Sequence, residues 1–142
     1  MANNYQQFSA LLAVSDPEER RWWEQILASR DDPDGPLLKI VAADGTGAAG
    51  FDAELVDDGV WFFAEECGDV EQVAVVVQEF FRQHRRGGVW GFEWADWCSK
   101  LRIGEFGGGA VVVTAGDIRW MPTSQWLADR IRELTVDGDS DA

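Results

Sequence analysis

Residues 51–88 read "FDAELVDDGVWFFAEECGDVEQVAVVVQEFFRQHRRGG", and how this stretch divides decides the class of fold. Residues 51–66 are two short apolar runs around Asp57, Asp58 and Gly59, the signature of a hairpin. Val73, Val76, Val77, Phe80 and Phe81 then recur at helical spacing, behind Asp69 as a cap with Gln72 positioned to reciprocate. Valines favour a strand by propensity alone. Length, capping and the stop at Gly87 favour a helix over residues 69–86. Arg82, Arg85 and Arg86 fall in its last turn, where the helix dipole favours cations.

The flanks extend the pattern. "SDPEERRWWEQILAS" (15–29) predicts a helix from 16 to 29, with Ser15 capping Glu18 and Trp22, Trp23, Ile26 and Leu27 on one face. "LLKIVAA" (37–43) reads as a buried strand. "VWGFEWADW" (89–97) alternates, with Trp90, Phe92 and Trp94 on one face and Trp97 out of phase. "AVVVTAGDIRWM" (110–121) is a second hairpin, turning at 115–117. A last helix over 123–135 places Leu127, Ile131 and Leu134 inward. Residues 1–14 form an N-terminal arm and 136–142 a disordered acidic tail. Hairpins predict an α+β fold in one domain: a single, mostly antiparallel sheet with helices on one face. The repeated order strand–strand–strand–helix suggests a duplicated βββα unit.

Composition narrows the partners. Twelve Lys and Arg against 26 Asp and Glu give a formal charge of −14. That field repels nucleic acid and anionic membranes and attracts a basic protein. No stretch has the roughly 20 apolar residues of a membrane span, and, with no basic segment before a long apolar run at its start, no signal peptide is expected. Two cysteines, Cys67 and Cys98, set no disulfide framework. The expectation is a soluble cytoplasmic protein with free thiols. Eight Trp and eight Phe exceed what a core of this size needs, so some belong at a surface, including a contact between copies of the chain.

The stretch with chemistry in it is "CSKLRIGEFGGGA" (98–110). As a long connection it brings Cys98, Ser99, Lys100, Arg102 and Glu105 beside Gly107, Gly108 and Gly109, whose N–H groups could nest an anion gripped by the two cations. The plainer reading is structural: the glycines form a bulge and tight crossing, and the cations pair with nearby acids. Trp94 and Trp97 on the adjoining strand complete the candidate ligand or partner site. Thiol catalysis needs a base, and the single histidine, His84, falls at a helix end among arginines. No metal-ligand spacing, phosphate-binding loop or dinucleotide pattern is present, so no catalytic residue, metal or cofactor is assigned.

"FEWADWCSKLRIGEFGGGA" resembles the F-x-W-A-x-x-C-S-K-P-R-x-x-x-F-G-G-G-A pattern of a family of small bacterial and mobile-element proteins of unknown function. Phe92, Trp94, Ala95, Cys98, Ser99, Lys100, Arg102, Phe106 and Gly107 to Ala110 fit it, and Leu101 stands where that pattern has Pro. The likeness covers roughly the C-terminal third of the chain and implies relatedness without an activity. Residues 70–94 more faintly resemble the helix-then-strand end of some toxin-immunity proteins. The function expected is that of an acidic, non-catalytic interaction protein, immunity- or anti-defence-like, that binds a basic partner. The alternative is a small-molecule or anion binder, or a small enzyme, built on the 98–109 loop.

Overall fold

The computed structural model describes residues 4–42, 47–66, 68–103 and 105–139. Cys67, part of the loop around residue 45, and the last three residues of the expected tail lie outside them. The fold is α+β, with one six-stranded antiparallel sheet in the order β2-β3-β1-β4-β5-β6. In chain order the elements are β1 (Asn4–Ala13), α1 (Pro17–Ala28), α2 (Pro36–Val41), β2 (Asp52–Val56), β3 (Gly59–Ala64), α3 (Val70–His84), β4 (Val89–Cys98), β5 (Gly107–Thr114), β6 (Ile118–Pro122) and α4 (Thr123–Asp139).

The hairpin and helix of 51–88 form as their pattern predicts. Val60 and Phe62 of β3 and Val73, Val76, Val77, Phe80 and Phe81 of α3 are all buried in one core. Asp69 caps α3 by accepting from the Gln72 N–H at 3.1 Å. Gln72 does not reciprocate: its side chain accepts from Gly50 N–H at 2.7 Å and donates to Ala48 O at 3.0 Å, pinning the loop before β2. At α1 the cap is Asp16 rather than Ser15, because Asp16 Oδ1 accepts from Glu18 N–H at 3.0 Å and Pro17 opens the first turn.

Two segments differ from their sequence reading. The expected strand at 37–43 is instead the short helix α2, started by Pro36 at its first position and preceded by Gly35. Leu37 and Leu38 are buried in either reading, which is why an apolar run this short does not reveal its period. The supposed N-terminal arm is β1, a central strand between β3 and β4. Phe8 and Leu12 are buried on the helix side while Ser9 and Leu11 are exposed on the other. The first half of the chain therefore runs β-α-α-β-β-α, and its sheet order 2-3-1 differs from the sequential 4-5-6 of the second half. A repeated βββα unit is not what the topology shows.

Helices α1, α2 and α3 pack on one face of the sheet through Trp23, Ile26, Leu37 and the α3 stripe. Helix α4 does not join them. Leu127, Ile131 and Leu134, expected inward, are 55, 55 and 71 % exposed. The turn from β5 to β6 is held by Thr114 Oγ1, which accepts from Asp117 N–H at 3.0 Å. On that exposed turn the Arg119 guanidinium, hydrogen-bonded at 2.8 Å, holds the Asp117 carboxyl below its ordinary range. Among the described residues no helix is long and apolar enough to cross a membrane.

Candidate functional site

The loop after β4 is shorter than the sequence suggests. It runs over 99–106, because Gly107, Gly108 and Gly109 belong to β5, opposite Asp96, Ala95 and Trp94. Their backbone serves the ladder, so the anion nest expected from them is not formed. The glycines answer packing needs instead. A Cβ at Gly109 would sit 2.7 Å from the Trp94 ring, which lies across the strand pair. Gly108 has φ +144°, a conformation that other residues rarely adopt.

The other candidate residues disperse. Cys98 is buried, a free thiol at 4 % exposure. His84 packs edge-on to Trp22 at the far end of α3, with ring centroids 5.7 Å apart. Lys100 and Arg102 stand on the exposed loop, and among the described residues neither makes an ion pair. Arg102 contributes a backbone bond to Lys100 O at 2.9 Å. Arg102→Ala is therefore expected to leave folding stability within about 0.5 kcal/mol of the parent, read as a urea midpoint. A larger loss would make the loop a structural clasp.

The sheet sends Trp94 and Trp97 to opposite faces. Trp94 Nε1 donates to Asp96 Oδ2 at 3.2 Å, and its ring meets Trp120 edge-on at 5.8 Å. Trp97 emerges on the other face and stacks on Tyr5 of β1, centroids 4.2 Å apart and planes 23° from parallel. Trp61 and Phe63 of β3 make a second stack on that face at 4.1 Å. None of these four rings is fully buried.

Beside the Tyr5–Trp97 stack lies a cleft of about 400 Å³. Asn4, Tyr5 and Gln6 of β1, Asp96 and Trp97 of β4, Glu66 after β3, and Glu105 and Phe106 of the loop line it, with Gly107 and Ser124 at its edge. Of the sequence candidates, Trp97, Glu105 and Gly107 meet here. Asp96 is fixed by two donors, Gln6 Nε2 at 2.8 Å and Trp94 Nε1 at 3.2 Å. Gln6 is set in turn by backbone bonds to Glu66 O and from Gly68 N–H at 2.7 and 3.1 Å. The Glu105 Oε2 and Trp97 Nε1 atoms are buried without a hydrogen-bond partner among the described residues. Among the described residues the lining holds three carboxylates, Glu66, Asp96 and Glu105, and no Lys or Arg.

Two further depressions adjoin the cleft along the same strands. One of about 370 Å³ adds Gln7 and Glu65 to Tyr5, Glu66 and Trp97, and another of about 430 Å³ runs along Ser9, Trp61 and Phe63. Sequence reading missed Tyr5 and Gln6 because it left the N-terminal segment outside the sheet, and with them the setting of Asp96, which Gln6 holds. The period-two pattern of Phe8, Ala10 and Leu12 was the available signal. Among the described residues no group of three or more His, Cys, Asp or Glu side chains is placed to hold a metal ion. Set against protein-family models, curated proteins and solved structures, the chain matches none.

Proposed function

We propose that this is a non-catalytic interaction protein that binds a basic partner, taking an arginine or lysine side chain of that partner into the Tyr5–Trp97 cleft. The observation that carries this reading is the cleft's lining: three carboxylates and two stacked aromatic rings, with no Lys or Arg among the described residues. A guanidinium suits such a lining best, because it is flat, weakly hydrated, stacks on aromatic faces and offers five donors. Glu105 Oε2 is an acceptor with its desolvation cost already incurred and no donor among the described residues to offset it. The formal charge of −14 would speed the encounter, and the aromatic pair would anchor the bound side chain. Immunity and anti-defence proteins act in this manner on basic toxins or nucleases, and the proposed setting is the cytoplasm of a bacterium. The 98–110 segment, which resembles the motif of the uncharacterised bacterial family, contributes Glu105 and Gly107 to the lining of the cleft.

The test is calorimetric titration with an arginine-rich peptide, the same peptide with lysines, and a polyglutamate control. Binding should weaken steeply with salt and favour arginine. Glu105→Gln, which keeps the shape and removes the charge, should cost about 1–3 kcal/mol of binding. Salt-insensitive association, or an unchanged affinity in Glu105→Gln, would defeat this reading.

A further inference from the structure

We infer that α4 is a homodimerisation helix, and that its apolar seam is covered by the same helix of a second copy. Every described side chain from Thr123 to Ala128 and from Ile131 to Thr135 is exposed, and none of the described side chains on α4 is buried. Yet the helix is amphipathic. Trp126, Leu127, Ile131 and Leu134 fall within an arc of about 140° at 100° per residue, and are 49, 55, 55 and 71 % exposed. Leu127, Ile131 and Leu134 are spaced four and three apart, the a/d spacing of a helix-on-helix seam. A single helix of this length is marginal in water and is normally held by packing of its apolar face. Within one copy of the chain these four side chains have no such cover and stay 49–71 % exposed.

Charge selects the occupant. Residues 123–135 carry Asp129 and Glu133 against Arg130 and Arg132. The four are paired within the helix, Arg130 with Glu133 at 2.6 Å and Arg132 with Asp129 at 3.2 Å. This strip is neutral, so the charge of −14 lies on the rest of the molecule. A basic partner is drawn elsewhere. A second copy is repelled elsewhere and meets no net charge along residues 123–135, the acidic Asp137 and Asp139 lying beyond the seam at the end of the helix. Size agrees as well. The four apolar side chains expose on the order of 500 Å² per copy, so a symmetric pair buries on the order of 1,000 Å², the scale at which specific interfaces begin. The inference is independent of the cleft.

Sedimentation equilibrium of the full chain tests it, in high salt to screen repulsion between copies. The parent should pass from monomer to dimer mass as concentration rises from about 1 µM to about 1 mM. Leu127→Gln/Ile131→Gln, which leaves the charge unchanged, should raise the dissociation constant at least about 100-fold, while Ile131→Leu stays dimeric. The thermal midpoint of the monomeric double variant should match that of the diluted parent, since neither side chain is buried in one copy. A parent that is monomeric throughout, or a dimer indifferent to the double substitution, overturns the inference. So does protection of α4 from hydrogen exchange that arises only on adding a basic peptide, which would make the heterologous partner its cover.

Discussion

Gly108→Val is expected to lose at least about 3 kcal/mol of folding stability, a large part of the 5–15 kcal/mol typical of a domain. Two independent costs add at this position. The backbone has φ +144°, which a β-branched residue adopts only under strain. A Cβ there would also strike the carbonyl oxygen of Trp94, an atom of the paired strand that no rotamer change can move. Its two neighbours serve as controls. At Gly107 a Cβ would meet only Ser124 Oγ at 3.1 Å and Thr123 Oγ1 at 3.6 Å, small exposed side chains, so Gly107→Ala should cost under about 1 kcal/mol. At Gly109 a Cβ would force the Trp94 ring aside and press on Met121 O at 2.6 Å, giving an intermediate loss. Urea midpoints should rank the variants 107, 109, 108 from mildest to worst. A Gly108 variant as stable as the Gly107 one would contradict the described strand geometry.

That ranking shows where the sequence was informative. A run of three glycines beside two cations looks like an anion loop, because sequence shows which residues are neighbours along the chain and not which lie opposite across a ladder. Once Trp94 is paired with Gly109, the glycine is explained by the ring that crosses it. Elements with a strong period were legible: the α3 stripe, both hairpin turns and the alternation of Trp90, Phe92 and Trp94. Elements short of two periods were not, as at Leu37–Val41, where a buried helix and a buried strand ask for the same residues. Half of the cleft was hidden for a topological reason. Tyr5 and Trp97 are 92 positions apart in the sequence and become neighbours only because β1 inserts between β3 and β4. The seam on α4 was legible as apolar, but its direction was not. Periodicity identifies a face to be covered and leaves open whether the cover is in the same chain.

Arg85→Ala is expected to cost roughly 2–4 kcal/mol, below the 3–5 kcal/mol of a fully buried pair because one partner is partly solvated. Glu19, on the first turn of α1, is 7 % exposed and the only buried charged residue among those described. Arg85, just past the end of α3, grips it with Nε at 3.1 and 3.0 Å and Nη2 at 2.7 Å. The same Nη2 donates to Ala13 O at 3.1 Å, and the guanidinium lies 5.1 Å from the Phe80 ring. One side chain thus joins the end of β1, the start of α1 and the end of α3. The sequence suggested a dipole contact at a helix end, worth less than about 1 kcal/mol on a surface. The structure makes it the partner of a desolvated carboxylate instead. The cost of Arg85→Ala comes mainly from the charge left behind on Glu19, so Glu19→Leu/Arg85→Ala should recover part of the loss. A double-mutant cycle of urea midpoints at neutral pH, with Glu19→Leu as the fourth corner, measures this directly. A double variant as unstable as the sum of its singles would mean that Glu19 and Arg85 act separately, and that the join between α1 and α3 rests on the contacts of Trp22 and Trp23 with Phe80, Gln83 and His84.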